Sequence, residues 1–279
     1  MKISQLFENG CLTLRNADVE NFRNEARWIF ESVFECGKEF LVFNAQCEAD
    51  AEKSEIYRKK INERASGVPV QYVIGSWDFY GESFFVGDGV LIPRPETEML
   101  VDFALDYLKD IRNPVVFDLC SGTGCIGLSV AKRRPDSTVI LIEKSPLAFE
   151  YMQKNIQSFG CENVHAVTGG VLGGYDSFDL PQPDLILSNP PYIETADIDS
   201  LQSEVHHEPV MALDGGADGM IFYNAIAEKW LGCCKAAAVE CGEGQAQSIK
   251  ELFSSVFADV YSAKDFNEID RIVIGRERK

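Results

Sequence analysis

The chain has 279 residues, 46% hydrophobic and 11% aromatic, so it can bury a sizeable core and is not a disordered segment. Its formal net charge is -18, which disfavours generic binding to the phosphate backbone of nucleic acids and suits a cationic or basic protein partner. No apolar run approaches a membrane span, and the start MKISQLFENG lacks the apolar region and cleavage site of a signal peptide, so a cytoplasmic protein is expected.

The first 70 residues read as a small helical module. The stretch DVENFRNEARWIFESVF places Val19, Phe22, Ala26, Phe30 and Val33 on one face, with Asp18 as the expected N-cap. ADAEKSEIYRKKINERASG reads as a charged surface helix that ends near Ser66 and Gly67. From 71 to 95 the chain turns aromatic and β-branched, broken by glycines, which predicts a β-hairpin linker. RPETEMLVDFALDYL then opens a helix with Pro95 in its first turn. Nine cysteines are scattered without a CxxC pair and read as reduced, mostly core residues; three histidines make a metal site an unattractive reading.

Residues 96–279 alternate strands with helices. Strands are expected at 115–119, 138–142, 163–167, 184–188, 236–240, 257–261 and 271–275. They are near-continuous apolar runs, as in a parallel sheet covered on both faces, and predict a doubly wound α/β domain.

Three stretches carry chemistry. VVFDLCSGTGCIGLSVA (115–131) is a strand, a Gly-rich turn and a helix, a geometry that lets backbone approach a ligand. Glu143 ends the next strand, roughly 20 residues after the glycines, where an acid can accept hydrogen bonds from both hydroxyls of a ribose. Those two features fit a dinucleotide and S-adenosylmethionine equally. The third, LSNPPYI (187–193), separates them. A planar NH2 nitrogen is a poor nucleophile because its lone pair is delocalised. Two acceptors that hold both N–H bonds orient that lone pair for methyl transfer. Asn189 Oδ1 and the carbonyl of Pro190 are such acceptors, Pro191 stiffens the loop, and Tyr192 offers a flat face to a planar group.

With these motifs the sequence resembles the protein-(glutamine-N5) methyltransferases that modify peptide chain release factors. The resemblance runs from about residue 60 onward and rests on Arg64, PVQYVIG (69–75), WDFYG (77–81), VLIPRPETEMLV (90–101), DLCSGTG (118–124), LSNPPYI (187–193), EPVMALDGGADG (208–219), VECGEGQ (239–245) and DRIVIGR (270–276). It implies an N-terminal helical substrate-recognition domain (1–70), a connecting β-hairpin (71–95) and a class I, Rossmann-like methyltransferase domain (96–279). It implies S-adenosylmethionine as cofactor, held by Asp118, Cys120, Ser121, Gly122, Thr123, Gly124, Glu143, Val171 and Asn189. The glutamine of a Gly-Gly-Gln loop would be held by Asn189, Pro190, Pro191 and Tyr192, with Asn189, Pro190 and Tyr192 as the catalytic set. Release factors are the implied partners, with no metal and no direct nucleic-acid binding. The sequence departs from the family at four places. Cys120 stands for a glycine, Glu143 for an aspartate, Gly170-Val171 for an acid followed by an aromatic residue, and His206 for an arginine.

Two other readings use the same motifs. An adenine-N6 methyltransferase also brings a planar NH2, that of adenine, to Asn-Pro-Pro-Tyr, but calls for a basic groove or a target-recognition domain, which a net charge of -18 argues against. A non-catalytic binding module on the same scaffold would have no need of Asn189 and Tyr192 together.

Overall fold

The amphipathic stretches at the start of the chain fold as helices in the computed structural model, which describes residues 1–279. Packing divides the chain into one unit of residues 1–76 with 202–207, and a second of 77–201 with 208–279. The first holds α1 (Ile3–Asn16), α2 (Phe22–Phe34), α3 (Phe40–Phe43), α4 (Ala51–Ala65) and α5 (Val70–Ile74). Its core gathers Leu6, Leu14, Ala26, Ile29, Phe30, Tyr57 and Val73. α2 starts later than its sequence suggests: Asp18 sits at φ 55, in the turn that ends α1, and Asn21 takes the cap position. α4 is capped as its sequence implies, with Asp50 accepting from the Lys53 amide at 2.8 Å. Arg64 is buried at the end of α4 and donates to Glu25 and to Glu204, which balances its charge inside the unit.

A hairpin follows α5, β1 (Ser76–Phe79) and β2 (Glu82–Phe85), and all of it beyond Ser76 belongs to the second unit. The stretch 86–94 holds no regular element, and a 3-10 turn (Pro95–Thr97) leads into α6 (Glu98–Leu108). The alternation that follows is β3 (Val115–Leu119), α7 (Cys125–Arg133), β4 (Thr138–Glu143), α8 (Pro146–Phe159), β5 (Val164–Thr168) and β6 (Leu185–Ser188). It continues with α9 (Ile221–Lys229), β7 (Ala236–Glu240), α10 (Ala246–Phe253), β8 (Phe257–Lys264) and β9 (Asp270–Arg278).

The seven strands line up as β5-β4-β3-β6-β7-β9-β8. β3 through β7 pair in parallel, and β9 runs antiparallel between β7 and β8. The middle strands are apolar on both faces because helices cover both. β3 buries Val116 and Phe117 to opposite sides, and β7 buries Ala236, Ala237 and Ala238 in the same way. The chain winds outward from β3 to one side through β4 and β5, then returns to β6 on the other. The carboxyl ends of β3 and β6 therefore flank the switch point, where an open α/β sheet leaves a crevice.

Candidate active site

A cavity of about 640 Å³ opens at that crevice, in the size range of small-molecule sites. Four strand ends supply one side of it: Cys120–Thr123 after β3, Glu143–Ser145 after β4, Gly169–Gly173 after β5, and Asn189 with Pro191 after β6. Two further segments close the other side. Residues 89–94 and 209–212 both reach the cavity, and Glu208 joins them. Buried at 4% exposure, its carboxylate accepts from the Ile92 amide at 3.1 Å and from the Arg94 guanidinium.

The Gly-rich turn is held from below and from the side. Gly124 caps α7 at φ 79, and a side chain there would crowd Leu141, Leu128 and Met152. Asp118 is fully buried under the turn; one oxygen accepts from the Gly127 amide at 3.0 Å and the other, Oδ1, has no protein partner. Burial pushes its carboxyl up to about 7, against the Gly127 N–H and with some help from the negative charge of Glu143. Glu143 reaches across from β4. Its Oε2 accepts from the Gly122 amide at 2.9 Å and its Oε1 from the Ser145 amide at 2.6 Å. Each oxygen keeps a lone pair for a further donor.

The Asn-Pro-Pro-Tyr turn follows β6. Asn189 stands in the cavity wall, and its Nδ2 donates to the hydroxyl of Thr97 at 3.1 Å. That hydroxyl donates in turn to Glu240 Oε2, and Tyr192 approaches Glu240 Oε1 at 3.5 Å. The backbone of the turn is clamped as well. The Ile193 amide donates to Leu213, the Gly215 amide returns to Ile193, and Gln245 Nε2 donates to the Tyr192 carbonyl at 2.9 Å. Gly219, at φ 68, lies so close that a Cβ would fall 2.4 Å from that same carbonyl.

The geometry has the counterpart that its sequence suggests. The PrmC N-terminal domain model matches residues 5–75 and the Methyltransferase small domain model matches residues 97–224. A release factor glutamine methyltransferase of Geobacter sulfurreducens is 37% identical over 268 residues, covering 94% of this chain and 92% of its own. One of Clostridium acetobutylicum is 32% identical over 279 residues, with 98% of each chain covered. The chain belongs to the release factor glutamine methyltransferase family. Among solved structures, the hMettl16 catalytic domain in complex with MAT2A 3'UTR hairpin 1 superposes with TM-score 0.58 at 12% identity, over 88% of this chain and 90% of that one. A methyltransferase from Pyrococcus furiosus gives 0.51 at 16%, over 78% and 96%. These share the class I methyltransferase fold.

Within this family member, the residues singled out from sequence fall into two sets. Cys120, Ser121, Gly122, Thr123, Glu143, Val171, Asn189 and Pro191 line the cavity. Asp118, Gly124, Pro190 and Tyr192 are not among the lining residues: Asp118, Gly124 and Pro190 are buried, and Tyr192, partly exposed, packs against the core on the β7 side instead of offering its face to the cavity wall. Thr97, Glu240, Gln245 and Gly219 were not singled out, although they lie in the quoted motifs PRPETE, VECGEGQ and DGGADG. The one available signal was the number of glycines in DGGADG and VECGEGQ, too many for one turn; Thr97, between Glu96 and Glu98, and Glu240, at a strand end, gave none.

Two departures from the family pattern have a local structure. Val171 is buried, its carbonyl accepting from the Trp230 indole at 2.8 Å, so the segment after β5 presents an apolar wall with Leu172 and Phe178. Cys120 takes φ 58, the left-handed region that a glycine occupies without strain, and burial holds its thiol well above the usual range. At such a position a Cβ costs about 1–2 kcal/mol. Cys120→Gly should therefore be more stable than Cys120→Ala by about 1 kcal/mol in urea denaturation, the reverse of the usual order of alanine and glycine. The opposite order would exclude the left-handed conformation.

Proposed function

We propose that this enzyme transfers a methyl group from S-adenosylmethionine to N5 of the glutamine in the Gly-Gly-Gln loop of a peptide chain release factor. The observation that carries the reading is the state of Asn189. Its NH2 is committed to Thr97, so its Oδ1 is the end left to accept a hydrogen bond in the cavity. An acceptor at that place suits a donor such as a primary amide. Pro190, between the lining residues Asn189 and Pro191, has no N–H, so its carbonyl would be the second acceptor once the substrate amide enters. Two acceptors on one NH2 group fix the direction of its lone pair, and the site then works by position and electrostatics rather than by a strong base.

The residues present fit the cofactor. Glu143 retains lone pairs for two hydroxyls, Ser121–Thr123 offers backbone to a charged tail, and the Val171, Leu172 and Phe178 wall suits an apolar ring face. The buried Asp118 Oδ1 is an acceptor that the protein leaves open. When bound, the cofactor supplies an electrophilic methyl on a sulfonium. The helical unit, residues 1–76 with 202–207, would choose the protein, since a pocket for one amide does not tell one glutamine from another. The acidic surface, net charge -18, would draw in a basic loop. Such a substrate works in the cytoplasm, and the enzyme would meet it there.

The test is methyl transfer from labelled S-adenosylmethionine to a release factor, to its Gly-Gly-Gln glutamine-to-alanine variant, and to duplex DNA and RNA. Incorporation into the first alone, with the label on the glutamine side chain by mass spectrometry, is expected. Equal labelling of the alanine variant rejects the assigned residue. Labelling of nucleic acid instead replaces the reading with adenine-N6 methylation.

A further inference from the structure

Beside the Asn-Pro-Pro-Tyr turn lies a chain of polar groups almost closed to solvent: Thr97, which also lines the cavity, and Glu240 behind it. Thr97 and Glu240 are each 2% exposed, and both come from segments distant in sequence from Asn189. We infer that Glu240, acting through Thr97, is a positioning residue for methyl transfer: it decides which end of the Asn189 amide faces the cavity. The inference rests on the reading above, in which that end holds the substrate amide.

What each group can donate fixes the direction of the chain. An ionised carboxylate only accepts. Two hydroxyls point at Glu240, Thr97 on one oxygen and Tyr192 on the other. Thr97 has one proton, and Glu240 takes it. What remains on Thr97 toward Asn189 is a lone pair, which calls for a donor. The Asn189 NH2 satisfies it, and Oδ1 turns out toward the cavity. A neutral Glu240 carrying its own proton reverses the chain. It can donate to Thr97, Thr97 can then donate to Asn189 Oδ1, and the amide turns its NH2 to the cavity. An NH2 there meets the substrate NH2 donor to donor.

Glu240 is placed to make this switch near neutral pH. Burial pushes its carboxyl up to about 7, opposed by the Thr97 hydroxyl and the Arg271 guanidinium of β9. From the segment before α6, Glu96 raises it further and Arg94 lowers it. Three more titratable groups face it: Tyr192, Cys125 of α7, and Cys241, the residue after it. Burial raises all three, so they stay neutral. Tyr223 of α9 donates to its backbone carbonyl at 2.8 Å, not to the carboxylate.

The experiment compares wild type, Thr97→Val, Thr97→Ser and Glu240→Gln as full-length proteins. Turnover of a release-factor substrate is followed from pH 5.5 to 9, with calorimetry for S-adenosylhomocysteine. Thr97→Val keeps shape and loses the hydroxyl; kcat should fall at least tenfold with cofactor affinity unchanged within about threefold. Thr97→Ser restores the hydroxyl and should return kcat to within about threefold of wild type. Wild-type kcat should drop on the acid side of about pH 7. Because Asp118 is also raised to about 7, that limb alone does not assign Glu240. In Glu240→Gln, which accepts from Thr97 through its Oε1 at every pH, the limb should vanish or shrink to the part that Asp118 contributes. A Glu240→Gln limb with the midpoint and depth of wild type, or a Thr97→Val enzyme within threefold of wild type, overturns the inference. So does Thr97→Ser failing as badly as Thr97→Val. If wild type transfers nothing to glutamine, the substrate reading fails, and the relay is judged by NMR alone. The Asn189 side-chain NH2 should then be protected from exchange in wild type and Thr97→Ser but not in Thr97→Val; equal exchange in all three rejects it.

Discussion

Asn189→Ala should keep its fold and lose methyl transfer by on the order of 100-fold, the usual consequence of deleting one preorganised group worth about 3 kcal/mol of barrier. The fold is expected to survive because the deletion leaves only one Thr97 lone pair without its donor. The only side-chain partner of Asn189 is Thr97, and the Thr97 proton goes to Glu240 whether or not the amide is there. The loss in stability should stay near 1 kcal/mol, that of one hydrogen bond. Cofactor affinity should move by less than about threefold. Asn189→Asp tests the chemistry more sharply. Its carboxylate has no N–H for Thr97 and would compete with Glu240 for the single threonine proton. It should be no more active than alanine, although it keeps two acceptors and nearly the shape of asparagine. Single-turnover rates with saturating cofactor measure both. Alanine activity within threefold of wild type, or an aspartate variant near wild type, would remove Asn189 from its role.

The strands were legible because a parallel sheet buried on both faces leaves an unbroken apolar run in the sequence. Val115–Leu119 and Ala236–Glu240 have the bounds their residues suggest, and the others differ by a few residues at their ends. The cavity wall was legible for a related reason. Glycines, an acid at a strand end and Asn-Pro-Pro-Tyr are each costly for an ordinary turn, so they mark places where a ligand comes near. What stayed hidden were supports whose residue types are ordinary. Thr97 sits in a motif that reads as the start of a helix, and Glu240 ends a strand as solvated acids often do. Only the three-dimensional placement brings them onto Asn189, 92 and 51 residues away along the chain. The start of α2 was misplaced for a local reason. Asp18 is a good cap by type, but the end of α1 had already claimed it for a left-handed turn.

Glu143→Ala should weaken binding of S-adenosylhomocysteine by about 10- to 150-fold while slowing saturated turnover much less. A charge-assisted hydrogen bond is worth about 1.5–3 kcal/mol, and Glu143 touches nothing that would react. The structure complicates the obvious reading, because this carboxylate already has two partners. It ties Gly122 of the turn after β3 to Ser145 at the cap of α8. Affinity could therefore fall because a ribose acceptor is gone or because the Gly-rich turn has come loose. The two causes separate in a double-mutant cycle with the ligand as second partner. If Glu143 holds the ribose, removing both hydroxyls from the ligand should cost wild type nearly as much as the mutation does. The same removal should cost Glu143→Ala almost nothing, since the partner is already missing. If Glu143 only clamps the turn, the hydroxyls should matter equally in both proteins. Thermal unfolding of the ligand-free variant reads the clamp on its own. Removing an acceptor from two backbone amides lowers stability whichever reading holds, so a lower Tm decides nothing about the ribose. Calorimetry that finds unchanged affinity for the parent ligand, or equal losses on removing its hydroxyls, would assign Glu143 to the turn alone.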